Sequence, residues 1–231
     1  YEMSDTLALV RKDDTQTADF IREKFAMPHQ VVTIDESSVL IVDDRQRRWR
    51  LPLGDENYTK LIGQDVVRIC REVATERDLF NCHGTFYELP AENADGYAKI
   101  RPIASHNFRI NDYASYRGML VMTGIDPKKD KDNEHIIVSE DGKAAVWAGA
   151  IDDLWSMGKP TGKGGPWKNT LVKAGEVSDP YLIGFYDKKN LTLSHNSQKD
   201  VTFTIEIDPT GNGKWVNYTT CLLYTSDAAD D

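Results

Sequence analysis

Polar chemistry is concentrated between Asn81 and Arg117, where His83, Tyr87, Glu88, Arg101, His106, Asn107, Arg109 and Asp112 stand among few aliphatic residues. Carboxylates are the sharpest signal in this set. Glycoside hydrolysis needs an acid and a base or nucleophile, usually two Asp/Glu side chains held about 5–9.5 Å apart. Glu88, Asp112 and Asp153 are the candidates for that proton work, with Asp152 beside the last. Arg101 and Arg109 have the forked donors that grip an acidic sugar's carboxylate, although a structural ion pair uses the same geometry. His83, Tyr87, His106 and Asn107 would add hydrogen bonds, and Trp155, Trp167 and Tyr116 offer flat faces for sugar rings. Each has a plainer role: Asp152-Asp153 as a turn cap, the tryptophans as packing, the histidines and tyrosines as ties between strands.

Other chemistries find less support. His83, His106 and Glu88 carry zinc-type donor atoms, but no close-spaced histidine pair fixes a coordination geometry. Loops 126–134 and 208–213 are acidic without matching a calcium-binding loop, and read as solvated turns. In the glycine-rich stretch 158–165, Gly162-Lys163 is followed by Gly164 rather than Ser or Thr, which excludes a phosphate loop. No nucleophile-elbow serine occurs. No metal or other cofactor is expected. A net charge of −9 without a basic run argues against nucleic acid as a partner, and no apolar stretch approaches the ~18 residues of a membrane span. Cys70 and Cys82 are equally compatible with a disulfide and with two buried thiols.

The elements that must position these groups read as strands, because apolar side chains recur at every second residue, as in Val201-Thr202-Phe203-Thr204-Ile205-Glu206-Ile207. Similar runs are 30–35, 38–43, 47–51, 64–72, 79–89, 97–103, 117–125, 135–140, 143–149, 181–186, 191–195 and 214–219. On a continuous strand 79–89, alternation would send His83, Thr85 and Tyr87 to one face and Glu88 to the other. Helical spacing is confined to 15–25 and, more weakly, 55–62. Polar turns at Asp141-Gly142, 43–46 and 187–190 join neighbouring runs as antiparallel hairpins, with Asp141-Gly142 suited to a two-residue turn. The phrase strand, acidic turn, strand recurs at 40–49, 136–147 and 182–193, which suits a unit of about 45–50 residues. Four-stranded units of that size are β-propeller blades. The expectation is an all-β chain forming a partial propeller, residues 1–220, with approximate blades at 15–62, 63–116, 117–178 and 179–220; a β-sandwich is the alternative.

Residues 221–231, beginning Cys221-Leu222-Leu223-Tyr224 and carrying the acids Asp227, Asp230 and Asp231, resemble one reading frame of a transposon-end adapter used in DNA library preparation. This predicts that the natural sequence stops near Thr220, that the chain is a fragment, and that the tail has no structural role. Four stretches carry a further resemblance: His83–Pro90, Ile100–Asn107, Asp152–Trp155 and Gly164–Trp167. They resemble a family of bacterial exported β-propeller proteins without an established reaction, over most of residues 30–220. The resemblance implies a propeller fold, a periplasmic or extracellular setting and an association with polysaccharide degradation. It transfers no catalytic residue.

Three functions follow as expectations. The chain belongs to a glycoside hydrolase or lyase using Glu88, Asp112 or Asp153; or it binds a glycan or other small ligand without turnover; or it is an interaction platform with an inert channel. In the first two, His83, Tyr87, His106, Arg109 and Asp112 should converge on one surface at the channel or its rim.

Overall fold

The computed structural model describes residues 2–3, 6, 9–10, 16, 31–43, 45–55, 67–71, 77–91, 96–129 and 132–225. The predicted helices at 15–25 and 55–62 lie outside these, apart from Thr15's neighbour Gln16 and from Asp55. Fifteen strands form five antiparallel sheets, so the chain is all-β among the described residues. A short ribbon joins β1 (Glu2–Met3) and β2 (Leu9–Val10). Next comes a three-stranded sheet of β3 (Val31–Ile34), β4 (Val39–Val42) and β5 (Arg48–Leu51). A four-stranded meander follows, of β6 (Val67–Arg71), β7 (Asp78–Cys82), β8 (Thr85–Glu88) and β9 (Arg101–Ser105). The third large sheet has the order β10-β11-β13-β12, from β10 (Tyr113–Tyr116), β11 (Met119–Ile125), β12 (Ile136–Val138) and β13 (Ala145–Gly149). A seven-residue 3-10 helix, Ile151–Met157, then leads into a long irregular stretch that ends at the ribbon of β14 (Val201–Ile207) and β15 (Val216–Leu223).

Two apolar cores hold the middle of the molecule, and the meander β6–β9 supplies both. On β7, Leu79 enters one core and Phe80 the other; on β8, Phe86 and Tyr87 divide the same way. The first core runs into the β10–β13 sheet through Tyr113, Leu120, Met122 and Trp147, with Leu154 of the 3-10 helix closing it. The second meets the β3–β5 sheet through Val39, Ile41 and Leu51. Period-two alternation therefore has a partner on each face, and the three sheets stack in series.

Several sequence expectations are corrected. The run 79–89 is a hairpin, because His83 and Gly84 take positive φ (50° and 77°) between the paired residues Cys82 and Thr85. Both central residues left-handed define the tight two-residue turn that matches strand twist. Arg117-Gly118 (φ 50° and 80°) makes an equivalent turn between Tyr116 and Met119, so strand 117–125 begins two residues later. Asp141-Gly142 does not form one. There the loop runs from Ser139 to Ala144, Gly142 N–H donates to the Ser139 carbonyl, and the Asp141 carboxylate accepts from the Ser139 hydroxyl and Lys143 N–H. Around the expected turn at 43–46, β4 and β5 pair antiparallel and Asp43 accepts from the backbone of Arg45 and Arg47.

The runs 181–186 and 191–195 are not strands; residues 158–200 contain none, and only Lys163 and Tyr181 make isolated bridges, to Leu53 and Arg50. The turn expected at 187–190 therefore joins no hairpin. Strand 97–103 is shifted to Arg101–Ser105. Finally, β15 continues through Cys221, Leu222 and Leu223, which pair with Phe203, Thr202 and Val201, so the start of the tail is structured. Cys82 is a free buried thiol, pushed up in pKa by burial, and does not bridge to Cys70.

Candidate functional site

A cleft of about 300 Å³ opens where the β7–β8 hairpin turn meets two other segments. Gly54 and Asp55 come from the chain after β5, Ser105, His106 and Asn107 from the end of β9, and Met157, Lys159 and Thr161 from the exit of the 3-10 helix. Glycine is required at the contact between the first two. A Cβ on Gly54 would run into the His83 carbonyl, and one on Gly84 would stand 2.9 Å from the His106 carbonyl. The Gly54 N–H donates to His83 Nδ1 at 3.0 Å, and His106 N–H donates to the Gly84 carbonyl at 2.8 Å.

Ser105 fixes the third segment. Its hydroxyl contacts Thr85 Oγ1 across the β8–β9 ladder at 3.0 Å, donates to the Thr161 carbonyl and accepts from Thr161 N–H. Its backbone N–H reaches the Gly158 carbonyl at 3.2 Å.

Both histidines are buried. His106 Nε2 donates to Asn81 Oδ1 at 2.9 Å, and its ring packs against Phe86 and Phe108. Burial holds its pKa down to about 4 against the opposing pull of the Asp55 charge, so the ring is neutral at pH 7. Burial lowers His83 in the same direction. His106 lines the polar cleft, and His83 lies against its Gly54 wall.

The carboxylates expected to carry protons are engaged separately. Glu88 lies directly opposite Arg101 on β9 and pairs with it at 2.8 Å, a cross-strand ion pair. Asp153 Oδ2 accepts from Ala150 N–H at 2.6 Å and so caps the 3-10 helix, while Asp152 lies 3.5 Å from Arg77. Asp112 accepts from its own neighbour's backbone at Tyr113 and lines a second cleft, about 310 Å³, with Tyr116 and Thr123 on the outer face of β10 and β11.

Of the expected ligand-binding groups, His106 and Asn107 border the first cleft and His83 contacts its Gly54 wall. Tyr87 is in the second core, its hydroxyl buried beside Tyr186 and its pKa raised by that burial. Arg101 carries Glu88 and lies over the Phe185 ring at 5.9 Å. Arg109 is exposed in the β9–β10 loop. Trp155 is exposed with the Arg77 guanidinium over its ring at 5.6 Å, and Trp167 is half-buried in the irregular stretch. His106 and Asp112 thus border different clefts. Sequence reasoning missed Asp55, Ser105, Lys159 and Thr161, which come from segments far apart in the chain and leave no local pattern.

No group of three or more metal-ligating side chains gathers among the described residues, and no helix among them is long and apolar enough to cross a membrane. Asp208 in the second acidic loop accepts from the backbone of Thr210, Asn212 and Gly213. No protein-family model, no curated protein and no solved structure matches the chain.

Proposed function

We propose that the chain is part of an exported, blade-built β protein that binds a glycan or similar polyhydroxylated ligand in the cleft beside the His83-Gly84 turn, without turning it over. The serial stacking of three antiparallel sheets supports the blade reading. The observation that carries the binding reading is the cleft itself, where Asp55, Asn107 and Thr161 from three separate segments line one opening, beside a Lys159 that is paired with Asp187. Hydroxyl-rich ligands are recognised by such convergent donors and acceptors. Non-catalytic binding is preferred because Glu88 and Asp153 are each held by a structural partner and Asp112 lines another cleft.

The test is titration calorimetry of the full chain against neutral and uronic-acid oligosaccharides, run beside an assay for newly released reducing ends or unsaturated products. Binding that Asn107→Ala weakens about tenfold, with no product released, is expected. Product formation abolished by Glu88→Gln or Asp112→Asn would replace this reading with the hydrolase or lyase. Binding insensitive to Asn107→Ala and Thr161→Val would remove the cleft from consideration.

A further inference from the structure

The outer edge of β5 is covered by a short piece of chain rather than by a strand. Arg50 N–H donates to the Pro180 carbonyl at 2.7 Å, and Leu182 N–H donates to the Arg50 carbonyl at 2.9 Å, placing Tyr181 as a parallel neighbour of Arg50. Just before this bridge, the Asp179 carboxylate is held by two arginines. Arg48 contacts it through Nε at 2.9 Å and Nη2 at 3.2 Å, and Arg50 through Nε at 2.8 Å.

Arg50 is built into place from behind. Its Nη1 donates to Asp35 at 2.9 Å and to the hydroxyls of Ser37 and Ser38 at 3.2 and 2.7 Å, and its side chain is only 11% exposed. A forked donor fixed in this way reads a carboxylate with defined orientation. Leu182 follows as the apolar anchor, packed on the second core.

These are the components by which a sheet edge recognises an extended peptide: main-chain ladder bonds, one charge-reading pair and one side-chain pocket. On its N-terminal side, meanwhile, the occupant follows an exposed stretch. From Lys168 to Val177 every residue but Val172 is exposed, and no strand follows until Val201. Irregular stretches of this length inside a folded chain are uncommon and are characteristic of lids and binding loops.

We propose that the β5 edge is a recognition slot for an extended acidic segment of a partner protein, and that Asp179–Leu182 is a built-in occupant that such a segment displaces. Tethering gives the internal segment a local concentration on the order of millimolar, so weakening it is the way to reveal the slot. The probe is a fluorescent peptide of residues 177–184, Val-Ser-Asp-Pro-Tyr-Leu-Ile-Gly, read by anisotropy on the full chain.

Asp179→Asn should bind this peptide about tenfold more tightly than the unaltered chain does. Adding Arg48→Gln to that variant should weaken the peptide about fivefold, as should replacing the peptide's Asp by Asn. A concentration-dependent dimer of the unaltered chain that the peptide dissociates would also support the slot and identify a second copy as the partner. Two results would overturn the proposal: an Asp179→Asn chain that keeps its circular dichroism yet binds no peptide, or one that loses β structure at room temperature, which would make the segment an integral part of the fold. Hydrogen exchange at the Leu182 amide, faster in Asp179→Asn while β7 and β8 stay protected, separates these cases.

Discussion

The stacked sheets between Val31 and Gly149 and the chain from Gly158 to Thr225 follow one sequence rule to different ends. Both contain period-two apolar runs. In the first region Leu79, Phe86, Leu120 and Met122 are fully buried; in the second Leu171 is 91% exposed, Leu191 66% and Phe185 62%. Alternation makes one face of a segment apolar, but a strand persists only if another strand accepts its backbone and another layer covers that face. Residues 181–186 and 191–195 alternate as well as many strands of the first region, yet neither gains a ladder. β14 and β15 gain the ladder without a third strand among the described residues, leaving Trp215, Tyr218 and Leu222 exposed.

The contrast can be broken most forcefully at Trp147, which is 1% exposed in the first core. Trp147→Ala should cost about 3–5 kcal/mol, since both transfer energy and cavity formation count against it. Chemical denaturation should show it, with little effect on exchange protection in the β14–β15 ribbon. Equal loss in both regions would mean that they unfold as one unit.

A smaller effect is expected at the turn that joins the cores to the cleft. Gly84→Ala places a side chain at φ 77° and 2.9 Å from the His106 carbonyl. The cost should be about 1–3 kcal/mol from left-handed strain, plus adjustment of the cleft wall. Gly175→Ala, also at positive φ but with nothing within 4 Å, should cost no more than about 1 kcal/mol. Similar losses at the two positions would contradict the difference in packing.

Acid should also separate the regions. His106 is depressed by burial from its usual 6.5 to about 4, so the unfolded chain takes up its proton first as pH falls. Its contribution to stability is present above pH 6.5 and is lost progressively between there and about 4. His83 shifts in the same direction. The melting temperature should fall from pH 7 to pH 5, and the fall should shrink in His106→Gln. Asp35 and Asp179 act only in stronger acid. Burial tends to raise them, but hydrogen bonds from Ser37 and Arg50 to Asp35, and from Arg48 and Arg50 to Asp179, hold both below the ordinary 3.8, so their support is lost as pH falls below that value.

The smallest effect belongs to the ribbon. Phe203 is half-buried on β14 opposite Cys221, in a sheet of two strands among the described residues. Phe203→Ala should change global stability by less than about 1 kcal/mol while increasing local amide exchange. A loss comparable with Trp147→Ala would show that the ribbon is covered in solution.

The sequence by itself determined the all-β character and most strand positions, because alternation and turn residues act over a few neighbouring positions. Val201–Ile207 is an example. It also marked His106 and Asn107, since a dense run of polar side chains among few aliphatic ones is visible without coordinates. Only the tertiary structure decided that His83-Gly84 is a turn, because histidine seldom adopts positive φ and nothing local distinguishes that pair from the interior of a strand. It also decided that Glu88 faces Arg101, that Tyr87 enters a core, and that Asp55, Ser105 and Thr161 share a cleft with His106. Those relations depend on ladder register and sheet stacking, and their partners lie too far apart in the chain for any short-range pattern to record.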